Sequence, residues 1–211
     1  MYASGTSARY NELREISLDD FVRTGALVLA GIALVLILLL RSVLAPLYVL
    51  ASLGFNYLVT MGIVEFLFVR VPGYPGLSWS VSFFIFLIIV ALGVDYSIFL
   101  MARFKEEYRA GGVKAAMTKA MRTTGTVIVS AAVIMGGTFG ALGFSGVLTL
   151  VQIGVGTLLG LPIYALIFMA LVVPSFSFLS GEANWWPFRR QASAARPLAG
   201  HAAAPDQLPR I

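Results

Sequence analysis

The stretch Gly93-Val94-Asp95-Tyr96-Ser97-Ile98-Phe99-Leu100 places one carboxylate inside a run, residues 81–102, that is otherwise uncharged. The length and apolar character of this run predict a helix that crosses a membrane. A carboxylate near the middle of such a helix costs at least about 2.5–3.5 kcal/mol, so it normally faces a bundle interior or a wet cavity. Two interpretations of Asp95 follow: it carries protons or ions, or it is an internally hydrogen-bonded residue that only fixes helix packing.

The composition of the 211-residue chain indicates an integral membrane protein. Hydrophobic residues make up 59% of the chain and charged residues 12%, and the mean hydropathy is +0.89. An ordinary soluble domain has about 25% charged residues. The chain has no cysteine, which excludes a disulfide framework and a thiolate zinc site, and the single His201 lies in a polar tail. We therefore expect no metal site and no cofactor.

The basic residues of the chain predict topology rather than nucleic-acid binding. The net charge is +5, but the lysines and arginines cluster beside the apolar segments, where they orient membrane spans. We therefore expect no nucleic-acid partner.

Apolar segments long enough for a helical crossing, about 17–25 residues, occur five times. Paired Pro-Gly dipeptides after Val71 predict a turn between the second and third segments, and Gly143-Phe144-Ser145-Gly146 predicts another between the fourth and fifth. Pro162 and Pro174 fall inside the fifth, where membrane helices tolerate a kink. The fold class is therefore an all-α bundle of five transmembrane helices, predicted at residues 22–41, 43–68, 79–102, 124–143 and 148–179.

The segments outside these spans are polar. Residues 103–122 predict a loop in which basic and apolar side chains alternate, as in a helix on the membrane surface or in a plain solvated connector. Residues 189–211 form a tail, mostly of Ala, Pro and polar residues, that we expect to be disordered. Gly136, Gly140, Gly156 and Gly160, at four-residue spacing, predict close helix packing.

The distribution of lysine and arginine predicts the orientation. With alternating sides, the loop at residues 103–122 and the C-terminal tail share the richer face, which the positive-inside rule makes cytoplasmic. The N-terminus is then extracytoplasmic in the cell membrane, although residues 1–20 contain no secretory apolar core. We therefore expect further spans upstream in the natural protein, or a truncated reading frame.

Several motifs together resemble the MMPL branch of the resistance-nodulation-division (RND) transporter superfamily, over residues 19–188. The first set is the stretch around Asp95 followed by a charged segment and a small-residue segment: Arg103, Glu106-Glu107, Gly111, Thr123-Thr124-Gly125 and Ser130-Ala131-Ala132. The second set flanks the other spans: Arg41-Ser42, Ala45-Pro46, Val173-Pro174 and Asn184-Trp185-Trp186.

This resemblance implies an architecture and a mechanism. Members have twelve spans in two halves, each with an extracytoplasmic domain after its first helix, and this chain resembles the last five spans of the second half. Residues 1–20 would then end that external domain. One Asp-Tyr pair per half relays protons that drive export of lipids or other hydrophobic compounds. The resemblance thus makes Asp95 the proton carrier and Tyr96 its neighbour, and implies an N-terminal half in the same chain or another subunit.

Spacing adds Ser130 to this predicted relay. Asp95 lies eight residues before Arg103 and Ser130 eight residues after Arg122, so both should lie about 12 Å inside the cytoplasmic edge. Their side chains could then form a hydrogen bond between antiparallel helices. Alternatively, Ser130 bonds its own helix backbone, and Tyr96 is only a packing aromatic.

The last span departs from the family pattern. Many members carry an Asp about ten residues, and an Arg about five residues, before the proline that matches Pro174. Here those positions are Tyr164 and Met169. The departure puts the full coupling network in doubt and leaves open that Asp95 works alone.

The sequence supports two hypotheses of function. The first is part of a proton-driven exporter, a secondary transporter whose partners are protons, membrane lipids and a lipid or other hydrophobic substrate. The second is a non-transporting membrane module that binds lipid or a partner protein. An intramembrane aspartyl protease is disfavoured, because such an enzyme needs two aspartates that share a proton and the spans carry one deep carboxylate. We therefore expect no enzymatic activity.

Overall fold

Five long helices make up the part of the protein that the computed structural model describes, residues 6–70 and 76–181, with side chains described at 22–70, 76–108 and 112–181. They are α1 (Thr6–Leu40), α2 (Leu44–Arg70), α3 (Trp79–Tyr108), α4 (Gly112–Phe144) and α5 (Leu148–Ser180). Each contains a segment long and apolar enough to cross a membrane, which in α1 is Val22–Leu40. The predicted all-α bundle of five transmembrane helices is confirmed.

The loop expected over residues 103–122 is helical instead. One helical path runs through Trp79–Gly140 and is broken at Gly112, where φ is 78° and ψ is 173°. Glycine adopts a positive φ without the steric cost that a Cβ would impose, so the chain changes direction there. The predicted surface helix is therefore the first turns of α4, and Ala116, Met117 and Ala120 are buried in the bundle.

Ion pairs hold α3 and α4 together beside this break. Arg103 contacts Glu106 at 2.8 Å and Glu107 at 2.9 Å, and Lys119 of α4 contacts Glu107 at 2.7 Å. The charged residues that mark the end of the apolar run thus continue the two helices beyond it. The predicted helix ends at residues 102 and 124, which were placed at this change in polarity, are therefore wrong.

Two predicted segments lie wholly or partly outside the described residues. The tail at 189–211 is outside them, as are Trp185 and Trp186. Of the predicted N-terminal segment, residues 6–20 are helical and continue into the first span as part of α1.

Helix α5 packs against α2, α3 and α4 through glycines. An added Cβ at Gly160 would lie 2.8 Å from Ile89 Cδ1 and 2.9 Å from Thr60 Oγ1. On the α4 side, a Cβ at Gly154 would lie 2.6 Å from the backbone oxygen of Phe139. Gly136, Gly140 and Gly156 make comparable close approaches, which confirms the predicted packing role of the two glycine pairs.

The two prolines do not end α5. The helix continues to Ser180 but widens to a π-helix over Tyr164–Val172, between the two prolines. Proline has no N–H to bond the carbonyl four residues earlier, so Pro162 leaves the Leu158 carbonyl without its usual donor. That carbonyl faces Gly136, where an added Cβ would lie 3.2 Å from the oxygen. The absence of a side chain there lets α4 approach α5.

We predict that Gly154→Ala destabilises the bundle by about 1–3 kcal/mol, the usual effect of overpacking. The new methyl group meets the backbone of α4, which cannot rotate away as a side chain could. Thermal unfolding of the purified chain in detergent would measure the loss.

Gly137→Ala is the matched control, because no atom lies within 4 Å of the position that its Cβ would occupy. It should leave stability unchanged or raise it slightly, as alanine favours helix. Equal unfolding temperatures for the two variants would contradict this account of the packing.

Candidate functional site

The turn of α3 that carries Asp95 has two faces with different surroundings. Gly93 and Ser97, four residues apart, are buried against the rest of the bundle. Asp95 lies between them in sequence, and two residues correspond to about 200° around a helix. The same geometry that buries Gly93 and Ser97 therefore turns Asp95 to the opposite side.

Asp95 lies on the outer surface of the five helices. Its side chain is exposed, as are Ala91, Phe99 and Ala102 on the same face of α3. It forms no hydrogen bond or ion pair with another described residue. The expectation that this carboxylate faces the interior of the bundle is wrong for these five helices, because the inner face of α3 is taken by residues that pack on α5.

Tyr96 points into the bundle rather than alongside Asp95. It is buried in the main hydrophobic core, and its hydroxyl has no hydrogen-bond partner among the described residues. A buried hydroxyl without a partner costs about 1–3 kcal/mol. The two members of the predicted pair are therefore adjacent in sequence but differ in environment.

Ser130 lies on an exposed face of α4 with Thr126, Val133 and Gly137. It forms no hydrogen bond with Asp95, so the contact predicted from the spacing is not present in the structure. Equal depth along two antiparallel helices does not bring two side chains together, because their faces must also point toward each other.

The structure reveals a hydroxyl pair that the sequence analysis missed. Ser97 Oγ lies 2.8 Å from the Gly93 carbonyl, to which it donates, and 2.7 Å from the Tyr164 hydroxyl of α5. Because Ser97 has one hydroxyl hydrogen, Tyr164 is the donor in the second bond. Tyr164 is fully buried, and Ser52 of α2 lies beside it. Three helices thus meet at one phenol.

The ring of Tyr164 also contacts the same turn of α3. An added Cβ at Gly93 would lie 3.2 Å from its Cε1 atom. On the other side the ring stacks on Phe168, with centroids 6.2 Å apart. Ring and hydroxyl together therefore hold the inner side of the turn that presents Asp95 outward.

A sequence signal for this contact was available. Gly93 and Ser97 are small residues at i and i+4, which mark a face that another helix can approach closely. Tyr164 and Met169, the positions where many relatives are charged, are both buried. In this chain both positions are uncharged, and Tyr164 makes a packing contact that includes a hydrogen bond to Ser97. In the described part of the chain, no group of three or more His, Cys, Asp or Glu could hold a metal ion.

Comparison with known proteins identifies the family. The model of the MMPL family matches residues 1–200. The chain is 43% identical to the membrane protein YdgH of Bacillus subtilis over 187 residues, which are 89% of this chain and 21% of that protein. It is 30% identical over 199 residues to the transport protein MmpL6 of Mycobacterium tuberculosis, covering 94% of this chain and 50% of MmpL6.

A third relative has a named substrate. The sulfolipid-1 exporter MmpL8 of Mycobacterium tuberculosis is 33% identical over 179 residues, which are 83% of this chain and 16% of MmpL8. The chain thus spans half or less of the length of these three relatives. The family match over nearly the whole chain, together with five long apolar helices, shows that this is a multi-pass membrane protein of the MMPL transporter family.

Proposed function

We propose that the chain is part of a proton-driven exporter of lipids or other hydrophobic compounds, with Asp95 as the proton carrier. The observation that carries the proposal is the exposed, unpaired carboxylate in the middle of an apolar helix. Facing hydrocarbon, such a group costs at least about 2.5–3.5 kcal/mol. The working protein must therefore place a polar surface or water against this face of α3.

A second set of transmembrane helices is the partner that suits this face. The relatives are longer than this chain, so such helices could belong to the same chain or to another subunit. Packed against Ala91, Asp95 and Ala102, they would enclose the carboxylate between two units. Ala91 allows close approach of another helix one turn before Asp95, and the exposed ring of Phe99 offers an apolar contact one turn after it.

Enclosure would give Asp95 the chemistry of a carrier. A carboxyl group that is neutral when buried and charged when hydrated can take up a proton on one side of the membrane and release it on the other. Tyr96, next to Asp95 in sequence, has a buried hydroxyl without a partner among the described residues, and Ser130 has an exposed hydroxyl on α4. In the proposed orientation the N-terminus is extracytoplasmic and the C-terminus cytoplasmic.

The lipid substrate class is supported by the relatives, since one of them is named as a sulfolipid exporter. The second hypothesis is a membrane module that binds lipid or a partner protein without transport. It is supported by the absence, among the described residues, of any carboxylate that could share a proton with Asp95. The two hypotheses differ in whether a proton gradient moves a substrate.

We predict that Asp95→Asn abolishes export driven by a pH gradient, with a loss of at least about 100-fold, the lower range for removing a group that transfers protons. Asparagine keeps the size of the side chain but cannot exchange a proton. The measurement is uptake of extracted lipid or a hydrophobic dye into inverted vesicles of cells that express the natural full-length protein, where export runs into the vesicle lumen.

Glu65→Gln is the matched control, because Glu65 is also an exposed carboxylate in a span and is not part of the proposed relay. It should retain export, with membrane levels equal to those of Asp95→Asn. Unchanged gradient-driven export by Asp95→Asn would reject the relay. A wild-type protein that inserts normally but exports nothing would favour the non-transporting module.

We also predict that Tyr164→Phe lowers stability by about 0.6–2 kcal/mol, the contribution of one hydrogen bond between membrane helices. The ring and its stacking on Phe168 are retained, so only the bond to Ser97 is lost. Because that bond holds the turn of Asp95, the pH dependence of export should also shift. Detergent unfolding and export at several pH values would measure the two effects.

Tyr57→Phe provides the comparison. Tyr57 of α2 donates to the Ser82 carbonyl of α3 at 3.4 Å. Ser82 lies thirteen residues before Asp95 on the same helix. Its loss should lower stability by a similar or smaller amount and leave the pH profile of export in place. If both variants shift the profile equally, Tyr164 has no positioning role.

A further inference from the structure

A long apolar groove runs between α2 and α5 on the side of the bundle. Its volume is about 620 Å³, within the range of small-molecule sites. The lining residues recur every three or four positions, so each helix contributes one face. They are Leu44, Leu47, Tyr48, Ala51, Ser52 and Phe55 of α2, and Phe168, Val172, Phe176 and Ser180 of α5.

The groove has the length of one membrane leaflet. Leu44 is the first residue of α2 and Ser180 the last of α5, so both lie at the same boundary. On α2 the lining extends 11 residues, from Leu44 to Phe55, and on α5 it extends 12 residues, from Ser180 back to Phe168. Both lengths correspond to about 16–18 Å at 1.5 Å per residue. Half of a hydrocarbon core of about 30 Å is close to this length. A single lipid chain entering from the boundary would reach the midplane.

The walls of the groove are aromatic and offer no free hydroxyl at its centre. Phe55 and Phe168 meet edge to face with centroids 5.8 Å apart, and Tyr48 stacks on Phe176 at 6.0 Å. The Tyr48 hydroxyl is bonded to Ser177 at 3.0 Å. Ser52 donates to the Val49 carbonyl at 2.7 Å. With these hydroxyls satisfied inside the protein, the groove selects a hydrocarbon chain over a polar ligand.

Two cations lie at the same boundary of the bundle as the mouth of the groove. The Tyr48 hydroxyl contacts Met101 of α3 at 3.5 Å, and Lys105 follows one turn later on the same helix face. Lys105 Nζ lies 3.1 Å from the carbonyls of the last two residues of α1, next to Arg41. The side chain of Arg41 is exposed just before α2 begins. Clustered cations at a membrane boundary attract anionic lipid headgroups.

We infer that this groove holds one acyl chain of an anionic phospholipid from the adjoining leaflet, with its phosphate beside Arg41 and Lys105. The apolar length accounts for the chain, and the charge at the mouth accounts for the headgroup. The site lies on α2 and α5 and does not include Asp95, so it stands apart from the proposed proton coupling.

The test is photocrosslinking in nanodiscs that contain equal amounts of phosphatidylglycerol and phosphatidylcholine with the same chains. A benzophenone amino acid replaces Leu47, which lines the groove, or Leu58, which does not. Both lie on α2 and are equally exposed, at 65% and 63%. Position 47 should crosslink more phosphatidylglycerol than position 58, and it should prefer phosphatidylglycerol over phosphatidylcholine by about fivefold for each cation near the phosphate.

Two substitutions then test the acyl-chain site and the headgroup site separately. Ala51→Trp fills the groove and should abolish the excess crosslinking of phosphatidylglycerol at position 47 over position 58. Ala30→Trp, on the exposed surface of α1, should leave that excess unchanged. Arg41→Gln should reduce the preference for phosphatidylglycerol about fivefold. Glutamine is chosen over glycine because Arg41 has φ 51°, where glycine would also relieve backbone strain.

Equal crosslinking at positions 47 and 58 in the otherwise unsubstituted protein would overturn the inference, and this comparison does not depend on whether Ala51→Trp folds. Equal crosslinking of the two lipids at position 47 would also overturn it, since the phosphate would then have no specific partner. Displacement of the phospholipid by an exported compound would assign the groove to substrate instead.

Discussion

The whole bundle depends on the close approach of helices around α5. In a bilayer the hydrophobic effect does not drive helices together, so contact area and hydrogen bonds must hold them. Glycines supply that contact: Gly154 lets α5 reach the backbone of α4, and Gly160 lets it reach α2 and α3. The phenol of Tyr164 adds a hydrogen bond at the same junction. The positions of α2, α3 and α4 follow from this packing around α5, whereas α1 packs on α2 and α3.

That packing also determines where the carboxylate lies. Once Gly93 and Ser97 are turned toward Tyr164, helical periodicity places Asp95 on the far side of α3. The contact with α5 is rigid, because it combines a buried ring with a satisfied hydrogen bond. The outer face carries Asp95 at its centre, with Ala91 one turn before it and Phe99 one turn after it. A stable inner contact and an outer carboxylate on one turn are the features on which the proposed coupling role of Asp95 is based.

The polar ends of the helices have a separate role. Arg103, Glu107 and Lys119 join α3 to α4 across the break at Gly112, and Lys105 caps the C-terminus of α1. A cation at the end of a helix satisfies its last carbonyls and complements its dipole. These contacts close the bundle at one boundary, where the groove between α2 and α5 also begins.

The long uncharged apolar runs and the glycine spacing of the sequence were sufficient to predict five helices, the glycine contacts and the unusual Asp95, because each depends on residues near one another in the chain. It misjudged the helix ends around residues 103–122, since charged residues can continue a helix outside the hydrocarbon. Only the tertiary structure decided which way Asp95, Tyr96 and Ser130 face and that Tyr164 pairs with Ser97. The orientation of a side chain depends on which helices pack on its neighbours, and that information lies in contacts between residues far apart in sequence.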